Sequence, residues 1–215
     1  MKYRLMIFDL DGTILDTLDD LSDALNHTLR WGGFPVRTRD EARSFIGNGI
    51  RNLIKRGAPD GTAEEVIDEL HREFAAYYAL HSADRTGPYA GIPELLRTLR
   101  QEGGQLAVVS NKADPAVKPL MDLYFPGLFD AAYGERPGIP RKPSPEAVWA
   151  VMEAFGVNRE DTVYIGDSEV DVATAHNSGA ACICVDWGFR DRSVLEQAGA
   201  EQIVSTPAAL LELLL

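Results

Sequence analysis

Four short apolar runs constrain this chain more than any other feature: LMIF at 5–8, LAVV at 106–109, TVYI at 162–165 and ACICV at 181–185. They are rich in β-branched residues and do not alternate with polar ones. Runs of that kind fit strands buried on both faces, the condition of a parallel sheet covered by helices above and below. Two weaker runs, AAY at 131–133 and QIV at 202–204, extend the set. Helical patterns separate them. PELLRTLRQEGG stops at Gly103 and Gly104. SPEAVWAVMEAFG places Ser144 as N-cap, Pro145 at the first helical position, Glu146 in the first turn and Gly156 at the close. Strands alternating with helices imply an α/β fold with a doubly wound parallel sheet.

One interval breaks the alternation. From Asp16 to about Ala90 the sequence contains no convincing strand. Leu18, Leu21, Leu25 and Leu29 recur at helical spacing, with Asp19, Asp20 and Asp23 off that face. Val66, Leu70, Phe74 and Tyr77 do the same further on. A crossover helix needs far fewer residues than this interval holds. The reading is an inserted α-helical domain over 17–88, with 1–16 and 89–215 forming the sheet domain; the alternative is a long helical excursion packed on the sheet.

The residues just past each strand carry the chemistry. LMIF runs into Asp9 and Asp11, LAVV into Ser110, Asn111 and Lys112, and TVYI into Gly166, Asp167 and Ser168, with Asp171 beyond. In a parallel sheet these ends share one edge, and ligands bind there. Lys142 joins them from IPRKPSPE, where Pro143 biases it toward an extended conformation. Clustered acids need raised pKa values or a cation. Asp9, Asp11 and Asp167 offer hard oxygens with no soft ligand, which favours Mg²⁺ held with water and substrate phosphate. Ser110, backbone N–H groups and Lys142 suit a phosphoryl group. The set looks built for phosphoryl transfer through an acyl phosphate on an aspartate.

Charge and cysteines exclude other classes. The formal net charge is -12, which argues against nucleic-acid or anionic-membrane partners, since both need a basic footprint. Cys182 and Cys184 share one face of a strand, poor geometry for zinc or a disulfide, and read as buried reduced thiols in a cytoplasmic protein. The N-terminus meets acids too early for a secretory segment, and no apolar run approaches membrane-spanning length.

Asp9-Leu-Asp11-Gly12-Thr13, Ser110-Asn111, Lys142-Pro143 and Gly166-Asp167-Ser168-Glu169-Val170-Asp171 match, in order, the four motifs of the haloacid dehalogenase-like hydrolase superfamily. The resemblance covers the sheet domain, which it implies is Rossmann-like, and the helical insertion fits that superfamily's cap. SFIGNGIRNLI, VSNK, RKPSPE and VDWGFR resemble the phosphoglycolate phosphatase group, though pyrophosphatase-like relatives share them. The resemblance implies a Mg²⁺-dependent phosphatase acting on a small phosphorylated metabolite through an aspartyl phosphate.

It also implies roles. Asp9 is the nucleophile and a metal ligand. Asp11 is the general acid and base, starting protonated beside ionised Asp9, and its backbone carbonyl is a second metal ligand. Asp167 is a third. Ser110 and the Asn111 backbone hold phosphoryl oxygens, Gly12 permits close backbone approach to phosphate, and Lys142 neutralises charge on aspartate and phosphate. Asp171 is a water-mediated or outer ligand, or else a capping acid. Thr13 is either part of the site or a helix N-cap. In the cap, Arg43, Arg51 and Lys55 could meet a substrate anion or lie on the surface, with Arg51 the best candidate. Lys112 reads as a surface lysine, the four histidines as surface or satisfied positions, and the tryptophans as packing. Rival readings are a true dehalogenase, which Asp11 argues against, a sugar-phosphate mutase, a pyrophosphatase, and a non-enzymatic phosphoacceptor or binding protein. A monomer and a homodimer are equally compatible with the sequence.

Overall fold

The computed structural model describes residues 1–215. Its strands are β1 (Leu5–Phe8), β2 (Leu15–Asp16), β3 (Gly87–Pro88), β4 (Gln105–Ala113), β5 (Ala131–Glu135), β6 (Thr162–Gly166), β7 (Ala181–Val185) and β8 (Ile203–Val204). Six of them form one sheet in the order β5-β4-β1-β6-β7-β8, parallel throughout. The chain turns from one half of the sheet to the other beside β1, which pairs with β4 on one side and β6 on the other. That reversal is the place where an open α/β sheet leaves a crevice at its carboxyl edge.

The helices are α1 (Leu18–Trp31), α2 (Arg39–Phe45), α3 (Ile50–Gly57), α4 (Glu64–His81), α5 (Ile92–Gln101), α6 (Asp114–Tyr124), α7 (Glu146–Phe155), α8 (Glu169–Ser178), α9 (Arg192–Gln197) and α10 (Pro207–Leu214). Alternate residues of β1 go to opposite faces. Met6 and Phe8 pack with α5, α6 and α10 through Leu96, Leu120 and Leu210. Leu5 and Ile7 pack with α7 and α8 through Val148, Val151 and Ala175. Both faces are therefore apolar and covered, which is why the strand sequences do not alternate. Burying such side chains stabilises by about 1.5–3 kcal/mol each.

The helices α1 to α4 build a separate core, with Leu18, Leu21, Leu25 and Leu29 packed on Ile67, Leu70, Phe74 and Tyr78. The phase of α4 differs from the expected one. Val66 and Tyr77 are only partly buried, and Ile67 and Tyr78 take the inner positions. A period of 3.6 residues is compatible with either phasing, and packing against α1 selects one. Asp20, expected on the solvent side, is buried. Its carboxylate accepts from the N–H groups of Arg85 and Thr86 and from the Thr86 hydroxyl, at 2.7–3.0 Å, tying the first cap helix to the segment that leaves the cap.

The region without a readable strand contains two very short ones. β2 and β3 pair antiparallel, Leu15 with Pro88 and Asp16 with Gly87, so the chain enters and leaves the helical insertion side by side. Two residues carry no periodicity from which a strand could be read. The helix expected to start at Pro145 starts at Glu146; the Pro145 carbonyl accepts the first helical bond from Trp149 at 2.9 Å, so Pro145, not Ser144, is the flanking residue. The thiols of Cys182 and Cys184 are free and 3.8 Å apart, Cys184 buried and Cys182 only half-buried. No helix is long and apolar enough to cross a membrane.

Candidate active site

Asp9 is the first residue past β1, and the β4 and β6 ends flank it. Its carboxylate accepts from the Leu10 N–H at 2.7 Å and lies 3.0 Å from the Lys142 Nζ. Lys142 is buried, and its ammonium also donates to Asp171 Oδ1 at 2.8 Å and to the Tyr164 hydroxyl at 2.9 Å. That hydroxyl in turn donates to the Val109 carbonyl. Burial pulls the Lys142 pKa down, but Asp171 and Asp9 more than offset it and hold it well above the ordinary lysine value. Burial, with Asp171 and Asp11 adding, pushes Asp9 up to about 6 against the pull of Lys142.

Asp167 closes the other side. Its Oδ1 accepts from the Thr13 hydroxyl at 3.0 Å and its Oδ2 from the Phe189 N–H at 2.7 Å. Burial, then the charges of Asp171 and Asp9, push its pKa up to about 8. Ligand atoms of Asp9, Asp167 and Asp171 lie within 4.8 Å of one another. An excess of hard anionic oxygen, with the pKa values of Asp9 and Asp167 raised, is the donor chemistry of a divalent-cation site. Asp171 is the least available of the three. Its Oδ1 takes Lys142, and its Oδ2 takes the Ser168 hydroxyl and the N–H groups of Asp167 and Ser168. It therefore caps its own helix and steers Lys142 at the same time. Asp9 and Asp167 are left facing each other.

Glycines make this closeness possible. A Cβ on Gly12, whose φ is +84°, would stand 2.3 Å from Asp167 Oδ2. The expectation tied Gly12 to phosphate; the structure sets an acid side chain against it. A Cβ on Gly188 would meet the Gly12 carbonyl at 2.3 Å and Asp167 at 2.4 Å. Gly188 and Phe189 escaped the sequence reading, although VDWGFR held the signal: a Gly just past a strand at the ligand edge. Thr13 is settled as well. The helix N-cap is Thr17, and Thr13 is buried against Asp167.

Asp11 Oδ1 accepts from the Thr17 hydroxyl at 2.8 Å and from the Lys112 ammonium at 2.9 Å. Lys112 is therefore not a surface lysine; it is 3% exposed, and its Nζ also donates to the Tyr78 hydroxyl at 2.8 Å. Ser110 and Asn111 are buried at the β4 end. The Asn111 amide donates to the Gly47 and Lys142 carbonyls at 3.1 Å each. Its Oδ1, equally buried, has no partner.

The cleft over these groups is roofed by the cap residues Leu21, Ile46, Ile50 and Leu53, with Phe189 and Arg190 at its side. Arg190, also missed in the sequence, spans the two parts of the molecule: it pairs with Glu169 at 2.8 Å and donates to the cap carbonyls of Ile46 at 2.6 Å and Arg43 at 3.2 Å. Arg51 is not among the lining residues. It pairs with Glu64 at 2.7 Å and Asp68 at 2.8 Å. Lys55 pairs with the same Glu64, and Arg43 with Asp191. His27 and His81 pair with Glu73 and Asp84 and flank Tyr77 in a stack.

Residues 6–185 match the haloacid dehalogenase-like hydrolase family. The chain belongs to that family. It is 31% identical to the phosphoglycolate phosphatase of Pseudomonas putida over 97% of this chain and 78% of that one. It is 34% identical to that of Agrobacterium fabrum over 89% and 84%. A Lactobacillus delbrueckii crystal structure, provisionally described as a phosphoglycolate phosphatase, is 40% identical, has a TM-score of 0.95 and covers 100% of this chain and 99% of its own. CbbY from Rhodobacter sphaeroides, crystallised with phosphate, is 25% identical with a TM-score of 0.80, covering 97% and 96%. This haloacid dehalogenase-like hydrolase is a phosphatase acting on phosphate monoesters, and its acid cluster suits a divalent metal.

Proposed function

We propose that this phosphatase is Mg²⁺-dependent and hydrolyses a small organic phosphomonoester, 2-phosphoglycolate above others, through an aspartyl phosphate on Asp9. The observation that carries the reading is the buried Asp9 carboxylate held 3.0 Å from Lys142. It is a nucleophile kept anionic by a fixed, buried cation, with an acid-base candidate two residues on.

Asp9 attacks phosphorus as the ester P–O bond breaks, and the leaving oxygen takes the proton of Asp11. A water then attacks the acyl phosphate, Asp11 takes its proton, and the bond between Asp9 and phosphorus breaks. Lys142 offsets charge on Asp9 and on the phosphoryl oxygens in both steps. The Ser110 hydroxyl and the Asn111 N–H donate to those oxygens. Asp9, Asp167 and the Asp11 carbonyl would hold the cation, whose charge lets carboxylates and phosphate share the site. Residues 17–88 act as a cap that closes about the β2–β3 ribbon, excluding water during the first step. The roof of Leu21, Ile46, Ile50 and Leu53 suits a small leaving group.

Phosphate release measured with Mg²⁺ across 2-phosphoglycolate, pyrophosphate, hexose phosphates and glycerol phosphates tests the assignment. The highest kcat/KM is expected on 2-phosphoglycolate. A preference for pyrophosphate, or an isomerised sugar phosphate in place of free phosphate, overturns it.

A further inference from the structure

Lys112 lies at a junction that neither the fold nor the proposed chemistry accounts for. Its ammonium is buried, 2.9 Å from Asp11 Oδ1 and 2.8 Å from the Tyr78 hydroxyl. Tyr78 belongs to α4, the last helix of the cap, and is itself 4% exposed. The strand that carries Lys112 runs on past its apolar residues through Ser110, Asn111 and Lys112, all buried. A polar stretch buried at a ligand edge is costly unless each group is matched.

Both bonds that Asp11 receives, from Lys112 and from Thr17, end on Oδ1. Oδ2 accepts no hydrogen bond from the protein. The carboxyl is thus clamped by one oxygen, and Asp11 lines the cleft with the other left without a protein partner. A general acid works only when the proton-bearing oxygen is within reach of the leaving atom. Which oxygen faces the substrate is decided by what holds the first.

We propose that Lys112 is a positioning residue for Asp11, oriented by Tyr78 of the cap, so that Asp11 Oδ2 is the oxygen offered to the substrate's leaving group. This rests on reading Asp11 as the general acid. Lys112 does not touch the phosphoryl group; it acts through Asp11. The Tyr78 hydroxyl spends its lone pair on the ammonium and draws it toward the cap, which sets the angle at which the ammonium meets Asp11.

The test compares two monoesters that differ in need for an acid: p-nitrophenyl phosphate, whose phenolate leaves unprotonated, and 2-phosphoglycolate, whose alkoxide does not. The ratio kcat/KM reports the first, phosphorylating step on both. Lys112→Met keeps the length and removes the donor; Tyr78→Phe removes only the hydroxyl. Lys112→Met is expected to lose about 10- to 100-fold in kcat/KM on 2-phosphoglycolate and no more than about threefold on p-nitrophenyl phosphate, a loss at or below the roughly 100- to 10,000-fold that one general acid contributes, because Asp11 itself remains. Tyr78→Phe is expected to lose about three- to tenfold with the same selectivity. Equal losses of Lys112→Met on both esters, in protein with unchanged circular dichroism, make the residue structural and overturn the proposal, as does no loss on either. Should Lys112→Met not fold, Tyr78→Phe decides by the same criteria. Asp11→Asn separates this proposal from the reading beneath it. A selective loss there beside an unselective Lys112→Met sinks only the role of Lys112, whereas an unselective loss in Asp11→Asn sinks the acid and its positioning residue together.

Discussion

At the residue scale the site is a problem of packing negative charge. Asp9, Asp167 and Asp171 sit within one cluster, with Lys142 as the buried cation against two of them. Replacing Asp9 by its amide should end turnover while leaving the fold, since an amide cannot form the proposed acyl phosphate. Asp9→Asn with normal circular dichroism is expected to retain less than about one part in a thousand of wild-type kcat. The raised pKa of Asp167 gives a second prediction, about stability. Its carboxyl binds a proton more tightly in the folded chain, at about 8, than at the ordinary aspartate value of 3.8. Stability tied to that group is therefore full below about pH 4 and is lost as pH rises toward 8. Asp167→Asn removes the penalty, and the Thr13 hydroxyl can turn to accept from the new amide. In chelator at pH 8 this variant should melt roughly 5 °C or more above wild type, and at pH 4 the two should converge. In added Mg²⁺ only the wild type should gain. A wild type that melts identically at pH 5 and pH 8 in chelator would count against the charge cluster.

At the element scale, part of the hold on the cap is directed at backbone carbonyls. Arg190, Asn111 and Arg141 of the sheet domain reach the carbonyls of Ile46, Gly47 and Asn48, the short loop between α2 and α3. Arg51, one residue into α3, looked in sequence like a cap cation waiting for an anion. Its guanidinium is instead shared by Glu64 and Asp68 on α4. Exposed pairs of this type contribute about 0–1 kcal/mol. Arg51→Ala should accordingly shift KM for 2-phosphoglycolate and for p-nitrophenyl phosphate alike, by no more than about twofold. A selective KM rise on the preferred substrate would return Arg51 to the specificity set. The element-level surprises share one cause. The α4 phase, the β2–β3 ribbon and the burial of Asp20 all depend on what a residue is packed against, and local spacing cannot report that.

At the scale of the whole molecule, the two parts meet over the acids, with an apolar roof above a charged floor. With a formal net charge of -12, the chain repels an anionic substrate unless the floor is neutralised locally. Chelation should therefore abolish phosphate release and Mg²⁺ restore it. Ca²⁺ should inhibit, because its larger and looser coordination misplaces the attacking oxygen. Full activity in excess chelator would remove the divalent cation from the chemistry.

Much of this molecule is written locally. Apolar runs without alternation mark strands covered on both faces, and the polar residue after each run falls on the ligand edge because parallel strands end together. That was enough to bring Asp9, Ser110, Asn111 and Asp167 to one place, and the helical spacing from Leu18 to Leu29 was enough to mark the insertion. Lys112, Arg190, Gly188 and Phe189 were not legible, because their roles exist only across the fold. The Lys112 partners are 101 and 34 residues away, and a lysine's own neighbours in sequence say nothing about a carboxylate that distant. Periodicity reports which face of an element is apolar; only tertiary packing decides which charges are buried against one another, and in this protein those buried charges make up the candidate site.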